Sequence, residues 1–297
     1  MGRWWIILSG LICSVAVSDG QGLQVDMVTE YREYLHDEAL HVRLRFKNIS
    51  GEPVILAQDK DWIKFTIFDL DLKPVHRSGG VPTGDVFIVA DKKSVDKYFN
   101  VGPFFNLSEV GRYTIQAHVK VRRWKETISA SAPSVRVVGG VPLMTLRQGV
   151  PNPINDSQKP EIRAYTLIRK RNQGRTHLYI RVEEEKGKAV YSVQPLGGIV
   201  SFAKPEFHLD QSRLAHVIFQ NGSRSYLYCV VGSDGEMLKR HTYEIYRKVR
   251  PAFSLDDRDD IVVKGGRRVS AGSDIPRPNK KSRSLRHLPS RSVDIKP

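Results

Sequence analysis

The sequence predicts an all-β protein: an antiparallel sandwich, then an antiparallel meander sheet, then a disordered C-terminal tail. Three observations lead there. Short runs alternate apolar and polar side chains, with Gly, Pro and Asn turns between them. No long stretch of the first half carries apolar residues at helical spacing. In the second half, Asn221-Gly222 and Asp234-Gly235 each separate two apolar runs, the strongest short-range hairpin signal a sequence offers.

The first 18 residues precede this pattern. Arg3 gives a positive start, residues 4–17 are short, apolar and nearly uncharged, and the small residues Ala16 and Ser18 stand at −3 and −1 before Asp19. This is the layout of a secretory signal peptide over 1–18, and it is too short to cross a bilayer as a helix. It predicts a secreted or periplasmic protein. Cys13 follows Ile12 rather than a small residue, which argues against a lipoprotein anchor. No later apolar run reaches membrane-spanning length. Once the leader is removed only Cys229 remains, so no intramolecular disulfide forms and stability must come from apolar burial. The apolar strand around Cys229 predicts a buried, inert thiol.

The first domain is expected over 19–140. In 40–46, Leu40, Val42, Leu44 and Phe46 share one face, with His41, Arg43 and Arg45 on the other. A turn at 48–53 (Asn-Ile-Ser-Gly-Glu-Pro) leads into Val54, Ile55 and Leu56. Residues 62–70 form a second apolar strand with Ile63, Phe65 and Ile67 on one face. The stretch 111–119 alternates again, and 134–138 closes the domain before Gly139-Gly140. The phrases RFKNISGEPVIL, WIKFTIFDLDLKPV and GRYTIQAHV, in this order, resemble an immunoglobulin-like fold. The layout is similar to proteinase-inhibitor domains of the intracellular bacterial type and to accessory sandwiches of secreted proteins. The resemblance implies a β-sandwich over about 100 residues, and it implies a fold more than an activity.

Residues 141–160 hold Pro142, Pro151, Pro153 and Pro160 and read as a linker or an extended crossing strand. The second domain, 161–264, is expected as a meander of strands at 176–182, 189–193, 215–219, 226–231 and 237–246. It contains an internal echo. Segment 205–210 (Pro-Glu-Phe-His-Leu-Asp) recurs at 251–256 (Pro-Ala-Phe-Ser-Leu-Asp), 46 residues on, and a fainter trace starts at Lys159. A period in the forties suits a propeller blade, yet the segment holds too few copies for a closed ring. An open sheet edge for a partner chain, or coincident turn chemistry, would also account for it. Phrases at 214–220 (Leu-Ala-His-Val-Ile-Phe-Gln) and 263–269 (Val-Lys-Gly-Gly-Arg-Arg-Val) are similar to uncharacterised secreted bacterial proteins, which implies no reaction.

The formal charge of +15 is uneven: residues 264–297 carry ten Lys or Arg against two Asp. With its prolines and serines and almost no aromatic residue, the tail 265–297 is expected to be disordered. Lys264, Arg267, Arg268, Arg277, Lys280, Lys281, Arg283 and Arg286 are the candidate contacts to an anionic polymer, and Arg43, Arg45, Lys120, Arg122 and Arg123 on strand faces would favour the same partner. The nine histidines are scattered without metal-ligand spacing, and the acidic run 256–260 lacks the pattern of a calcium loop. No nucleophile elbow, Walker loop or dinucleotide fingerprint occurs, so no catalytic residue, cofactor or metal is assigned. Asn48, Asn106, Asn155 and Asn221 stand in Asn-x-Ser sequons, which would carry glycans on surface loops in a eukaryotic source. The expected function is non-enzymatic: an extracytoplasmic binding or scaffold protein of the cell envelope that engages a protein or anionic polymer, without specific nucleic-acid recognition. Two alternatives are a proteinase inhibitor acting through loops of the first domain and a hydrolase with His and carboxylates meeting at the domain junction.

Overall fold

Alternation of apolar and polar residues sets the strands of the first half. The computed structural model describes residues 18–19, 22–107, 109–132, 134–151, 160–172, 174–187 and 189–276, divided between Gly140 and Val141 into two compact units. Nearly all of the expected leader, and the chain beyond 276, lie outside the described residues. Among the described residues there is no α-helix, none long and apolar enough to cross a membrane, and no sheet closes on itself.

The first unit has strands β1 (Ser18–Asp19), β2 (Leu23–Thr29), β3 (Glu33–Leu35), β4 (His41–Asn48), β5 (Val54–Leu56), β6 (Ile63–Phe68), β7 (Phe87–Val89), β8 (Ser94–Asn100), β9 (Gly111–Val121), β10 (Glu126–Ser131) and β11 (Val135–Val138). One sheet runs β1-β2-β4-β8; another runs β10-β9-β11-β3 and adds β6 against β9; β5 and β7 pair separately. All these pairings are antiparallel except β11 with β3. One core joins the inward faces: Val42, Leu44 and Phe46 of β4 with Ile63, Phe65 and Ile67 of β6 and Ile115, Ala117 and Val119 of β9. Buried Trp62 packs its ring 5.9 Å from Phe46 and 5.6 Å from Phe87. The Tyr113 hydroxyl donates to the Glu109 carbonyl at 2.9 Å, pinning the corner that leads into β9.

The second unit has β12 (Val141–Val150), β13 (Glu161–Asn172), β14 (Arg175–Glu184), β15 (Val190–Gly198), β16 (Glu206–Leu209), β17 (Ala215–Gln220), β18 (Ser225–Val231), β19 (Met237–Glu244), β20 (Ala252–Leu255), β21 (Ile261–Lys264) and β22 (Arg267–Val269). Its sheets are β12-β13-β14-β15, β16-β17-β18-β19-β22 and the pair β20-β21. The two Xaa-Gly turns join β17 to β18 and β18 to β19, as the sequence predicts. Two expectations are corrected. The first half of the segment read as a linker or an extended strand is β12, paired along β13, and is no linker; its Pro142 is tolerated because β12 is an edge strand and the ladder shifts register there. The tail does not begin at 265, because β22 pairs with β19 and Ile275 bridges Arg240.

The middle sheet is covered on both faces. On one side Val217, Phe219, Leu227, Cys229 and Val231 join Tyr165, Leu167, Ile180 and Val182 of the first sheet in one core. On the other, Ile218, Tyr228 and Val230 lie under Phe253 and Val263 of the β20-β21 hairpin. Double burial explains why β17 and β18 read as continuous apolar runs instead of alternating ones.

The 46-residue echo is a repeat in three dimensions. Glu206 pairs with Ile218 and Leu209 with Ala215; 46 positions on, Ala252 pairs with Lys264 and Leu255 with Ile261. The turns match as well. Arg213 and Asp259 both take positive φ, 67° and 60°. Asp210 accepts from the Leu214 amide at 2.8 Å, and Asp256 accepts from the Asp260 amide at 3.0 Å.

Asn48 ends β4 fully buried. Its Nδ2 donates to the carbonyls of Glu52 (2.7 Å) and Val89 (2.8 Å), while Oδ1 accepts from the Ser50 amide and hydroxyl. Its sequon therefore serves the turn, and a glycan there is incompatible with the fold. Exposed Asn106 has no such obstacle, and Asn155 lies outside the described residues. Asn48→Ala leaves these buried groups unpaired and is expected to cost about 2–4 kcal/mol in the chemical unfolding of the first unit; a loss below about 1 kcal/mol would show that solvent replaces the amide.

Candidate functional site

The surface that gathers the sequence-predicted contacts lies where β19 ends. Tyr246 and Val249 close a two-residue turn through paired backbone hydrogen bonds of 3.1 and 2.9 Å. Its tip is Arg247-Lys248, with φ of 47° and 65°. Two left-handed central residues define the mirror-image hairpin turn that Asn-Gly ordinarily occupies, and each side chain there carries conformational strain. Two exposed cations therefore occupy positions that backbone energetics would give to small residues.

A second backbone constraint brings the start of the predicted tail alongside. Gly265 and Gly266 have φ of 76° and 60°, and a Cβ on them would fall 2.5 Å from the Arg250 carbonyl oxygen and 2.8 Å from that of Glu244. Only glycines permit this approach. It delivers β22 to β19, with Arg267 opposite Glu244 and Arg268 opposite Tyr243. The half-exposed Tyr246 ring then sits between two guanidiniums, Arg247 at 5.3 Å and Arg267 at 5.5 Å from its centroid. Arg247, Lys248, Arg250, Lys264, Arg267 and Arg268 are all exposed. Among the described residues the one ion pair of this group is Arg267 with Glu244, at 3.5 Å. Burial, then the positive charges of Arg268 and Lys239, hold His241 below the ordinary imidazole value.

Of the predicted contacts, the structure thus brings together Lys264, Arg267 and Arg268; Arg277, Lys280, Lys281, Arg283 and Arg286 lie outside the described residues. The five basic residues expected on strand faces of the first unit are different: Arg122 and Arg123 lie in a 3-10 turn after β9, and each of the five has a carboxylate beside it. Arg45 donates to Asp96 at 2.8 and 3.0 Å and holds that carboxyl below its usual range. Arg43 also reaches Asp96, Lys120 pairs with Asp61, Arg122 with Asp59 and Arg123 with Glu52. Sequence reasoning missed Arg247, Lys248 and Arg250. The signal was the basic run that follows the last meander strand, beside the Gly265-Gly266 pair.

A cleft of about 350 Å³ between the two repeated hairpins is lined by His208, Asp210, Phe253, Asp259 and Ile261 among others. Behind it, burial raises the Tyr228 pKa; the Tyr228 hydroxyl hydrogen-bonds His216 Nδ1 at 2.8 Å, and His216 Nε2 hydrogen-bonds the Asp210 carboxylate at 2.9 Å. Asp210 also caps its own turn. This chain of bonds is satisfied internally and anchors the hairpin. Cys229 is fully buried and its thiol is pushed up to about 11. Among the described residues no group of three or more His, Cys, Asp or Glu side chains is placed to hold a metal ion. In comparisons with known proteins, the chain matches no protein-family model and no curated protein.

Replacing the turn tip by Arg247→Asn with Lys248→Gly removes the strain of two left-handed side chains. The double variant is expected to stabilise the second unit by about 1–2 kcal/mol in chemical denaturation; a loss of stability would show that the cations support the fold.

Proposed function

We propose that this chain is a non-enzymatic, extracytoplasmic binding protein that holds a linear anionic polymer of the cell envelope against the surface around Tyr246. The reading combines a first unit of immunoglobulin-like sandwich type, acting as scaffold, with a second unit that carries the binding surface. The buried Trp62 and the Tyr113 corner support the sandwich assignment, and the leader-like start supports export. One observation carries the binding assignment: Arg247 and Lys248 hold strained positions at an exposed tip and form no ion pair among the described residues, whereas Arg43, Arg45, Lys120, Arg122 and Arg123 of the first unit each have a carboxylate partner. Two guanidiniums flanking an exposed aromatic ring, Arg247 without an ion pair among the described residues and Arg267 paired with Glu244, suit a flexible polyanion, whose charge is attracted at long range. The basic residues beyond 276 would extend the same field.

Heparin serves as a probe polyanion. Its affinity is expected to fall steeply with added salt, because binding releases counterions. Combining Arg247→Ala, Lys248→Ala, Arg267→Ala and Arg268→Ala is expected to weaken binding at least about tenfold and flatten the salt dependence. Arg43→Ala with Arg45→Ala should leave both unchanged. Salt-independent binding, or equal loss from the first-unit variant, would overturn the reading.

A further inference from the structure

The second copy of the repeat is incomplete. The preceding copy runs on from its β16-β17 hairpin into β18 and β19, whereas β20-β21 stops at two strands. The chain leaves β21 through Gly265-Gly266 and spends its next strand on β19. The shared register shows what is left over. The Asp256 amide bonds the Asp260 carbonyl, so alternation makes Ser254–Val262 and Ala252–Lys264 the bonded pairs of this hairpin. The backbone N–H and C=O of Ile261 and Val263 therefore point to the outer side. Their equivalents in the preceding copy, Ala215 and Val217, lie opposite Val231 and Cys229 of β18. Among the described residues no strand occupies the outer edge of β21.

The charges around this edge select its occupant. Asp256, Asp257, Asp259 and Asp260 precede the apolar segment Ile261-Val262-Val263, and Lys264, Arg267 and Arg268 follow it. A second copy of the same strand, laid antiparallel, meets acid with base at both ends, and a parallel one meets like with like. Asp257, Asp259, Asp260 and Lys264 form no ion pair among the described residues.

We infer that β21 pairs antiparallel with β21 of a second copy, around a two-fold axis at Val262. Ile261 and Val263 exchange backbone hydrogen bonds with the partner's Val263 and the partner's Ile261, and Asp260 lies beside the partner's Lys264. Such an interface is isologous, so each contact occurs twice. The joined hairpins make four strands, the number in the β12–β15 sheet, and an exposed edge is removed.

The test is sedimentation of the full purified chain over a micromolar to submillimolar series, without any polyanion. Failure here would thus leave the polyanion reading standing. The wild type is expected to dimerise, less strongly at high salt. Asp260→Lys alone and Lys264→Glu alone should each raise the dimer dissociation constant at least about tenfold through like-charge contacts. The double variant, and an equimolar mixture of the two single variants, should recover dimer because opposite charges face each other again. A wild type that stays monomeric throughout, or single variants that neither the swap nor the mixture rescues, would overturn the inference.

Discussion

Burial of the middle sheet on both faces is the constraint on which the second unit depends. β17 and β18 give Val217, Phe219, Leu227 and Cys229 to one core and Ile218, Tyr228 and Val230 to the other. Each fully buried apolar side chain contributes about 1.5–3 kcal/mol, so losing either covering layer would expose a large part of that stabilisation. Polar atoms on the second face must then be paired inside the protein, which is what the Tyr228–His216–Asp210 chain of hydrogen bonds achieves. The repeated hairpin makes the cover possible. It places Phe253 above His216 and Tyr228, with ring centroids 6.4 and 5.8 Å away.

The exposed features follow from how the chain reaches that cover and leaves it. To pass from β19 to β20 it reverses in two residues, and that reversal puts Arg247 and Lys248 at a strained tip. To pass from β21 back to β19 it crosses close to the backbone of Glu244 and Arg250, and glycines at 265 and 266 allow the crossing. Arg267 and Arg268 are delivered beside the tip in consequence, and among the described residues β21 keeps an unpaired edge. The basic surface and the open edge share one cause: two strands of a repeat used as a lid.

Much of this was legible in the sequence, and the gaps have physical reasons. Strict alternation at Val42, Leu44 and Phe46 and the turns at Asn221-Gly222 and Asp234-Gly235 located strands and hairpins, because one-sided burial and turn-forming residues, left-handed at Gly235, leave local marks. The echo at 205–210 and 251–256 marked the repeat. β12 left no such mark, since most of its side chains are exposed or half-buried and its Pro142, with the prolines that follow the strand, resembles a linker. The pairing of β11 with β3 joins segments about a hundred residues apart and has no local signature. The neutralised charges of Arg43, Arg45, Lys120 and Arg123 were hidden for the same reason: Asp96, Asp61 and Glu52 come from other strands and loops. The proposed binding surface was half visible. Composition marked Lys264, Arg267 and Arg268, while Arg-Lys is not a pair that announces a left-handed turn.

Amide hydrogen exchange followed by peptide, with and without heparin, tests the account most directly. Without ligand, β17 and β18 should exchange most slowly in the second unit, as strands covered on both faces. Added heparin should slow exchange in 244–250 and 264–269 and leave β4 and β10 of the first unit unchanged. Fast exchange in β17 and β18, or protection that appears in the first unit and spares the Tyr246 turn, would contradict it.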